Sequence, residues 1–503
     1  MKVLLVNPPS MVGDYNATEL SPTYNDIQHA GIAYIGGMLE RKGQEVTVIE
    51  CDCEKVGVNE LMRRIKELTP DCIGFSVYYY NYDNVIKILN LLDQIKSWKP
   101  YIFAGGYYAS LEPEKILNRF HNVKCCVIGE GEYTVTEIVE AVKLNKSIKE
   151  VKGIAYIENE DVIFTPQREV ELDLHAFDFP KVSYISKSKN AGVVTSRGCL
   201  GSCSFCSINS YYKKLGYPIR YRNAESIVNE IEQLVNKGVT NIQFLDDNFL
   251  FHIYSKEKTL LKLCEMIKEK DIHIKIYIYA RTKEIIKGVE ELKGLKSIGL
   301  SSLFVGVESF VDRQLKLYNK KTTAQENKKA IRILNELELP YTLGLILFDP
   351  YVTVQELDTN LDALLELEVF KHVHDLDYPI SISTQLGVIP NTELYYKLEK
   401  EGVLDEKVMF GFTFVNEEMK LYLASIKNWQ DNIRRVYFLI QALMMETGNP
   451  LLYDLKKELL LKDIEFLKYM IKNYRVEDGY KAWISYLNNV EERINPPIVD
   501  MAQ

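Results

Sequence analysis

Short apolar strands that alternate with amphipathic helices constrain the fold of this chain more than any other feature of its sequence. In the first 150 residues, apolar runs such as VLLVN and YIFAGG are each followed by a helical pattern or a glycine loop. Strands this apolar predict an α/β fold with a parallel sheet covered on both faces. Ligands of such sheets bind beyond the carboxyl ends of the strands. The predicted strands span residues 3–7, 45–51, 71–79, 101–106 and 124–132.

A second alternation of strands and helices begins near residue 193. Six strand–helix units fit three quarters of a TIM-like ring, a partial (β/α)6 barrel whose working face lies at the carboxyl ends of its strands. The six strands are predicted at 193–196, 241–249, 274–281, 303–309, 341–350 and 378–388. The predicted regions are a first α/β domain at 1–150, a linker with a hairpin at 151–190, the barrel at 191–400 and a helical region at 401–503.

Composition argues against several classes of protein. The 503 residues carry a net charge of -9 and no basic block, so the chain has no general attraction to nucleic acid. The longest apolar runs are far shorter than a membrane span, and the first residues, MKVLLVNPPS, contain too short an apolar run for a signal peptide. We therefore expect a cytoplasmic protein without nucleic-acid or membrane partners.

Three cysteines stand close together directly after the first barrel strand. Cys199, Cys203 and Cys206 occur within eight residues, and only six other cysteines occur in the chain. In a reducing compartment, this usage favours metal or redox chemistry over disulfides. A structural zinc site or an electron-carrying cubane needs four ligands, whereas three thiolates on a cubane leave one iron open for a substrate. The alternative is a loop with incidental cysteines.

The cysteine segment, CLGSCSFC, resembles the C-x-x-x-C-x-x-C loop of the radical SAM superfamily, and LFVGVES, KTTAQENKKAI and VIPNTELYYKLEKEGVL support the resemblance. It implies that Cys199, Cys203 and Cys206 hold a 4Fe-4S cluster, whose open iron is chelated by the amino and carboxylate groups of S-adenosyl-L-methionine (SAM). An electron from the cluster then cleaves the sulfonium. The resulting deoxyadenosyl radical abstracts hydrogen from an unactivated carbon, and the barrel encloses this chemistry.

The resemblance also implies contacts to SAM near the start of the barrel. Phe205, the aromatic residue before the last cysteine, would place its backbone beside the adenine. Asp246 and Asp247, at the end of the second strand, occupy the position where relatives bind the SAM ammonium, and a carboxylate pairs with a cation. The alternative is that one of these acids caps the following helix.

Three residues of later strands complete the expected SAM site. Glu308 would hydrogen-bond the ribose, or else it is a solvated strand end. Arg281 would face the SAM carboxylate. Gly344 would let the adenine approach closely, or else it is a packing glycine.

The first domain is similar to the cobalamin-binding domain that precedes many radical SAM barrels. The matching segments run in order from residue 6 to residue 132: NPP, GIAYIGGMLERKGQEVTVIE, DCIGFSV, FAGGYYAS-x-x-PE and GEGE. The resemblance implies a corrin on the strand ends, with its nucleotide tail near Gly105 and Gly106, where glycine allows close approach. The cobalamin contacts that it implies are Ser76, Val77, Tyr78, Gly105, Gly106, Tyr107, Gly129, Glu130 and Gly131.

The sequence lacks a motif that many cobalamin domains contain. In those domains a D-x-H-x-x-G motif supplies a histidine to cobalt. Asp26, His29 and Gly31 are spaced wrongly for it, so the resemblance implies cobalt without a histidine beneath it, as is common in radical SAM methylases of this type. A group of tyrosines is then expected to pad the lower face of cobalt, unless they are ordinary half-buried aromatics: Tyr78, Tyr79, Tyr80, Tyr107 and Tyr108.

The remaining cysteines argue against a tRNA-modifying role. Methylthio-transferring relatives carry a second cluster on three cysteines of the first domain. Here the spacing does not match, and no terminal RNA-binding barrel is evident. Cys72, Cys125 and Cys126 fall inside apolar strands, where cysteine behaves as a small apolar residue.

The resemblance as a whole implies a cobalamin-dependent radical SAM enzyme, and a C-methyltransferase in particular. One SAM would methylate cobalamin, a second would generate the substrate radical, and that radical would take the methyl group from methylcobalamin. The expected substrate is a natural-product or other small molecule, or a peptide. The expected electron donor is a protein such as flavodoxin or ferredoxin. Two alternatives stay open: a cyclisation or rearrangement without net methylation, and a non-catalytic carrier of cobalamin or cluster.

Overall fold

The computed structural model describes residues 1–10, 27–177, 180–181, 189–371, 384–405, 407–408, 410–447, 449, 451–473 and 481–494. The described chain divides into two compact units. The first unit contains residues 1–200 and 207–277, and the second contains residues 201–206 and those from 278 onward.

The strands of the described residues follow the predicted apolar runs within a few residues, and a predicted hairpin is also present. They are β1 (Lys2–Asn7), β2 (Glu45–Glu50), β3 (Cys72–Ser76), β4 (Tyr101–Gly105), β5 (Val123–Val127), β6 (Ile154–Glu158), β7 (Asp161–Phe164), β8 (Asn190–Val193), β9 (Ser196–Arg197), β10 (Arg220–Tyr221), β11 (Asn241–Phe244), β12 (Lys275–Arg281), β13 (Leu300–Glu308), β14 (Tyr341–Leu345), β15 (Leu404–Asp405) and β16 (Gly411–Phe412).

The helices include the predicted amphipathic segments and several short helices at strand ends. They are α1 (Ala30–Arg41), α2 (Cys51–Glu54), α3 (Val58–Leu68), α4 (Tyr82–Asp93), α5 (Tyr107–Leu111), α6 (Pro113–Arg119), α7 (Glu132–Lys143), α8 (Ser207–Leu215), α9 (Ala224–Asn236), α10 (Thr259–Glu269), α11 (Thr282–Lys287), α12 (Val289–Ser297), α13 (Asp312–Leu317), α14 (Ala324–Glu336), α15 (Val354–Glu366), α16 (Glu393–Lys400), α17 (Glu417–Thr447), α18 (Leu451–Asn473) and α19 (Lys481–Ile494).

The first unit contains the predicted parallel sheet. Its strand order is β2-β1-β3-β4-β5, and neighbouring strands in this part of the sheet are parallel. The hairpin formed by β6 and β7 extends the same sheet, because β6 pairs antiparallel with β5. The chain order reverses between β1 and β3. In sheets of this order, ligands bind at that reversal, beyond the carboxyl ends of the two strands.

The two faces of this sheet are buried in two separate hydrophobic cores. Leu4 and Val6 of β1 face a core shared with α3, α4 and α6. Val3 and Leu5 of the same strand face a second core shared with α1 and α7. Successive side chains of a strand point to opposite faces of the sheet. A strand that is buried on both faces therefore needs consecutive apolar residues, as the sequence predicted.

The barrel strands of the sequence prediction are present in both units. In the first unit, β11 is parallel to β8 on one side and to the start of β12 on the other. In the second unit, β13 is parallel to β14, and Phe348 forms a parallel bridge to Gln385. That bridge lies within the predicted sixth strand, 378–388, of which residues 378–383 are outside the described residues.

The region after residue 400 is mainly helical, as predicted. Trp429 of α17 stacks on Phe466 of α18 with 4.4 Å between the ring centroids, and its indole Nε1 donates to Oδ1 of Asp463 at 2.8 Å. These contacts bury a large aromatic side chain and satisfy its one polar atom. Within the described ranges, every helix is too short or too polar to cross a membrane.

Candidate functional site

The three motif cysteines differ from the other six in their exposure. Cys199, Cys203 and Cys206 are partly exposed, whereas the others are buried: Cys51, Cys53, Cys72, Cys125, Cys126 and Cys264. Burial raises the pKa of Cys264 to about 11 and that of Cys72 to about 12. The thiolate is the metal-binding form, so the buried thiols are poor ligands and pack as small apolar groups. The exposed cysteines are therefore the ones suited to a cluster.

Hydrogen bonds within the second unit fix the middle of the cysteine loop. The amide of Ser204 donates to the carbonyl of Tyr318 at 2.9 Å, and the amide of Leu394 donates to the carbonyl of Ser204 at 2.8 Å. The Nδ2 of Asn319 donates to the carbonyl of Ser202 at 2.8 Å. The loop between the second and third cysteines is therefore positioned by segments distant in sequence.

Tyr318 is itself fixed by buried polar groups. Its hydroxyl lies 3.1 Å from the carbonyl oxygen of Ile346 and 3.2 Å from Oδ2 of Asp349, which is fully buried. Asp349 also accepts two hydrogen bonds from the guanidinium of Arg313, at 3.2 and 2.9 Å. The ring of Tyr318 meets Phe205 edge-on at 5.7 Å, so the Phe205 side chain packs against the protein. Its predicted backbone contact to adenine stays a prediction. No sequence motif marked Tyr318 or Asp349.

The donor set of the cysteine loop fits an iron–sulfur cluster, because soft thiolates favour such clusters. No group of three or more His, Cys, Asp or Glu side chains among the described residues is arranged to hold a metal ion. The assignment of Cys199, Cys203 and Cys206 therefore rests on their spacing, their partial exposure and the fixed loop that carries them.

The two acids that follow β11 have different environments. Asp246 is buried and accepts hydrogen bonds from the amide of Thr195 at 3.2 Å, from its hydroxyl at 2.7 Å, and from the hydroxyl of Ser196. Asp247 is partly exposed and has no hydrogen-bond partner among the described residues. Burial and the neighbouring Asp246 raise the pKa of Asp247 to about 7. A cation would stabilise its ionised form, so Asp247 is the better candidate for the SAM ammonium.

The alternative in which one of these acids caps a helix is wrong. The next helical turn, Phe249–Tyr254, starts after Asn248, and α10 starts after Lys258. The side chain of Asp246 instead joins the loop after β11 to the residues after β8.

Glu308 is buried and paired, so the alternative of a solvated strand end is wrong. Its carboxylate lies 2.6 Å from the ammonium of Lys320, which is also buried. Its backbone is left-handed, with φ of 64°, where β13 ends. Arg281 donates from Nη2 to the carbonyl of Lys320 at 2.7 Å. Glu308 and Arg281 thus meet around Lys320, a residue that the sequence analysis missed.

The space beside Gly344 is occupied by a protein side chain. A Cβ atom at Gly344 would stand 2.5 Å from Cζ of Phe304, which favours the packing alternative over the predicted adenine contact. Gly306 pairs with Gly344 in the sheet, and a Cβ there would stand 2.9 Å from Nζ of Lys320. Both glycines therefore leave room for neighbours on one face of the two strands.

Among the residues predicted to contact cobalamin, those at the ends of β3 and β4 form close backbone contacts with each other. Gly106 has φ of +93°, and a Cβ there would stand 2.8 Å from the carbonyl oxygen of Val77. The amide of Val77 donates to the carbonyl of Gly105 at 2.8 Å, and the amide of Tyr108 donates to the carbonyl of Val77 at 3.1 Å. Ser76, at the end of β3, is buried. Glycine is thus required at 106 by the protein's own backbone.

The five tyrosines of the predicted lower face divide into two groups. Tyr78 stacks on Tyr80 at 5.1 Å and meets Tyr107 edge-on at 5.6 Å. Tyr108 is 6% exposed and belongs to one of the hydrophobic cores, with Tyr79 packed against it. The alternative of ordinary buried aromatics therefore describes Tyr79 and Tyr108, and the first group is the one available at the strand ends.

The GEGE segment is bound to arginines of the first unit. Glu130 accepts two hydrogen bonds from Arg220, at 3.0 and 2.5 Å, and Glu132 pairs with Arg197 at 2.5 Å. A Cβ at Gly129, which has φ of +89°, would overlap the hydroxyl of Tyr217. Because the Glu130 carboxylate is engaged by a cation, the backbone from Gly129 to Gly131 is what remains for the predicted corrin contact.

Two family descriptions match this chain. The radical SAM superfamily matches residues 193–364, and the B12 binding domain matches residues 20–139. The chain therefore carries a radical SAM domain and a B12-binding domain. This pair of domains confirms the predicted α/β class, with a Rossmann-like domain before a radical SAM domain. It also confirms the predicted cofactors: a 4Fe-4S cluster, SAM and cobalamin.

Similar proteins include an uncharacterized methyltransferase, PH0819, of Pyrococcus horikoshii. It is 25% identical, and the match covers 92% of this chain and 95% of the relative. The 4'-phospho-dehydrooxetanocin synthase of Priestia megaterium is 26% identical, over 70% of this chain and 49% of that enzyme. The chain thus spans nearly all of the first relative and about half of the second.

One solved structure is similar in fold to this chain. It is the cobalamin-dependent S-adenosylmethionine radical enzyme OxsB with aqua-cobalamin and S-adenosylmethionine bound. The TM-score is 0.81 at 19% identity, and the match covers 100% of this chain and 82% of that chain. The likeness is one of fold.

Proposed function

We propose that this protein is a cobalamin-dependent radical SAM C-methyltransferase that acts on an unactivated carbon of a small-molecule or peptide substrate. The observation that carries the proposal is the partly exposed three-cysteine loop, which is fixed by the Ser204–Tyr318 hydrogen bond in a chain that also has a B12-binding domain. The full-length relative from Pyrococcus horikoshii is named a methyltransferase, and this supports methyl transfer as the reaction.

The cofactors supply an electron for reductive cleavage of SAM and a cobalt centre that carries a methyl group. The residues of the chain bind, orient and enclose them. Cys199, Cys203 and Cys206 are the cluster ligands in this proposal. The carboxylate of Asp247, at the end of a barrel strand, binds the SAM ammonium, because it is the acid there whose charge no described residue neutralises.

The paired residues around Lys320 complete the SAM site in this proposal. The Nη2 of Arg281 is held by the Lys320 carbonyl, which orients the guanidinium for the SAM carboxylate. The Oε1 of Glu308 is paired with Lys320 and leaves Oε2 for the ribose. The buried ammonium of Lys320 holds the Glu308 side chain in place.

A rearrangement or cyclisation without net methyl transfer is the second candidate. The relative from Priestia megaterium, a synthase by name, favours it. We regard methyl transfer as the better supported function, because the relative with that name matches over nearly its whole length.

The experiment is anaerobic purification with iron, sulfide and cobalamin, followed by reduction with SAM and analysis of the nucleoside products. Methyl transfer yields S-adenosylhomocysteine together with deoxyadenosine, whereas rearrangement yields only deoxyadenosine. Neither product from a protein with a full cluster would indicate a carrier. The matched control is the triple variant Cys199→Ala, Cys203→Ala, Cys206→Ala, which should bind cobalamin but give no deoxyadenosine.

The electron donor and cellular location belong to the same proposal. A flavodoxin or ferredoxin in the cytoplasm would supply the electron. Replacing the chemical reductant by flavodoxin and its reductase should preserve deoxyadenosine formation. If the protein forms deoxyadenosine with dithionite but none with flavodoxin and its reductase, flavodoxin would be excluded as the electron donor.

A further inference from the structure

A histidine and a tyrosine meet where the order of the first sheet reverses. His29 immediately precedes α1 in the connection that follows β1, and Tyr78 follows the end of β3. The Tyr78 hydroxyl is hydrogen-bonded to Nε2 of His29, and the ring centroids are 5.1 Å apart. Since β1 and β3 are neighbours and ligands bind at this reversal, the pair lies where a corrin is expected.

The backbone holds both partners in position. The amide of His29 donates to Oε1 of buried Glu50 at 2.8 Å. The amide of Tyr78 donates to Oδ1 of Asn81 at 2.8 Å, and its ring is stacked on that of Tyr80 with only 6° between the ring planes. The hydrogen bond between the two side chains therefore joins two fixed elements.

The imidazole of His29 has the properties of a metal ligand. A neutral imidazole binds metals through a nitrogen lone pair. The Nδ1 of His29 is buried without a hydrogen-bond partner in the described structure and faces Gly31, where a Cβ would stand 3.3 Å away. The Tyr78 hydroxyl occupies the other nitrogen, Nε2.

We propose that His29 is a latent cobalt ligand and that the Tyr78 hydroxyl masks it. This inference rests on cobalamin binding by the chain. While the hydrogen bond is present, bound cobalamin has no nitrogen ligand from the protein. Loss of the hydroxyl releases Nε2 for coordination. A nitrogen donor would stabilise a more positive metal, so masking His29 would leave reduced cobalt easier to form.

The test is electron paramagnetic resonance of full-length protein loaded with cobalamin and reduced to cobalt(II). In the wild type, we expect cobalt hyperfine lines without nitrogen splitting. In Tyr78→Phe, each resolved line should split into three, because one nitrogen-14 nucleus binds cobalt. The benzimidazole base of cobalamin would give the same pattern, so the protein is also prepared with nitrogen-15 histidine. Splitting by His29 then changes from three lines to two.

Two further variants make the result specific. Tyr82→Phe changes a ring of α4 that stacks on Tyr108, keeps the Tyr78–His29 hydrogen bond and should give the wild-type spectrum. Adding His29→Ala to Tyr78→Phe should remove the splitting. A split wild-type spectrum, an unsplit Tyr78→Phe spectrum, or splitting unchanged by nitrogen-15 histidine would each overturn the inference. Cobalamin loading is measured separately by absorbance. A chain that loads none refutes the proposed function as well, whereas loaded variants with unchanged spectra refute only the mask.

Discussion

The amide of Ser204 donates to the carbonyl of Tyr318 across 2.9 Å, and the side chain of the next residue, Asn319, donates to Ser202 across 2.8 Å. Two successive residues after α13 therefore hold the loop that carries Cys203 and Cys206. The Tyr318 carbonyl and the Asn319 side-chain amide position the cysteine loop, so the geometry of the loop does not depend on a bound cluster alone.

Replacing Asn319 by alanine should lower the iron content of the reconstituted protein. The change removes the hydrogen bond to Ser202 and puts alanine at φ of 50°, which costs roughly 1–2 kcal/mol. The matched control is Asn159→Ala, at φ of 51° in the β6–β7 turn, which has the same backbone strain away from the cysteines. Iron and sulfide analysis with cluster absorbance measures the difference, and equal iron in both variants would contradict the prediction.

Asp247→Asn should weaken SAM binding by about 10- to 100-fold, since a hydrogen bond to a charged group contributes roughly 1.5–3 kcal/mol. Equilibrium dialysis on the cluster-loaded protein measures the affinity. Because burial and Asp246 raise the pKa of Asp247 to about 7, its charge appears as pH rises. Affinity in the wild type should therefore increase from pH 6 to pH 8, whereas Asp247→Asn should show a flatter profile. The same pH response in both proteins would exclude Asp247 from the site.

Arg220→Gln should destabilise the first unit by less than the roughly 3–5 kcal/mol that an uncompensated buried charge costs, because Glu130 loses its bidentate partner but keeps Arg197 at 3.4 Å. Urea unfolding followed by circular dichroism measures the loss. Combining Arg220→Gln with Glu130→Gln should recover part of the loss, since the carboxylate that lost its bidentate partner is then replaced by a neutral group. Arg63→Gln, which removes an exposed ion pair of α3, is the control and should change stability little.

Gly106→Ala should cost more stability than Gly43→Ala, although both glycines have positive φ, 93° and 73°. Alanine at 106 meets the Val77 carbonyl at 2.8 Å, whereas at 43 nothing lies within 4 Å. We expect about 1–2 kcal/mol at Gly43 from the left-handed backbone alone. Overpacking should add about 1–3 kcal/mol at Gly106. Similar urea midpoints for the two variants would show that the Val77 contact relaxes freely.

Glu50→Gln should change how stability depends on pH. Burial raises the pKa of Glu50 to about 8, despite hydrogen bonds from Asn7 and the His29 amide. The folded state then binds more protons than the unfolded state between about pH 4.5 and pH 8, so stability falls as pH rises through this range. The glutamine variant should lose that part of the slope. Thermal unfolding from pH 5 to pH 8 compares the two proteins.

The sequence predicted the elements whose pattern is local. Consecutive apolar residues located β1 to β5. Helix α3 was missed, although Leu61, Met62 and Ile65 at helical spacing are its buried face and were visible in the sequence. The hairpin was predicted, but its pairing with β5 was not, because strand partners depend on the folded sheet.

The candidate site was predictable only where residues are adjacent in sequence. The cysteine spacing identified the cluster loop, and Asp246 and Asp247 were both identified as acids of interest. Within the described part of the chain, only Asp246 is held by hydrogen bonds, and its donors, Thr195 and Ser196, precede it by some 50 residues. Likewise, Glu308 acquires a buried cation only because the chain turns back at Lys320. Such partners are chosen by tertiary structure, and no local pattern specifies them.

The residues that hydrogen-bond to the cysteine loop are synthesised long after the loop itself. Leu317, whose carbonyl accepts the Ser204 hydroxyl, is made 113 residues after Ser204, and Leu394 follows later still. At roughly 5–20 residues per second, a ribosome needs on the order of ten seconds to reach α13 after it has added Cys206. During that interval the nascent thiols are exposed without their supporting segments. Delivery of iron is therefore best timed after most of the chain has left the ribosome, which makes cluster assembly a late step in the life of the polypeptide.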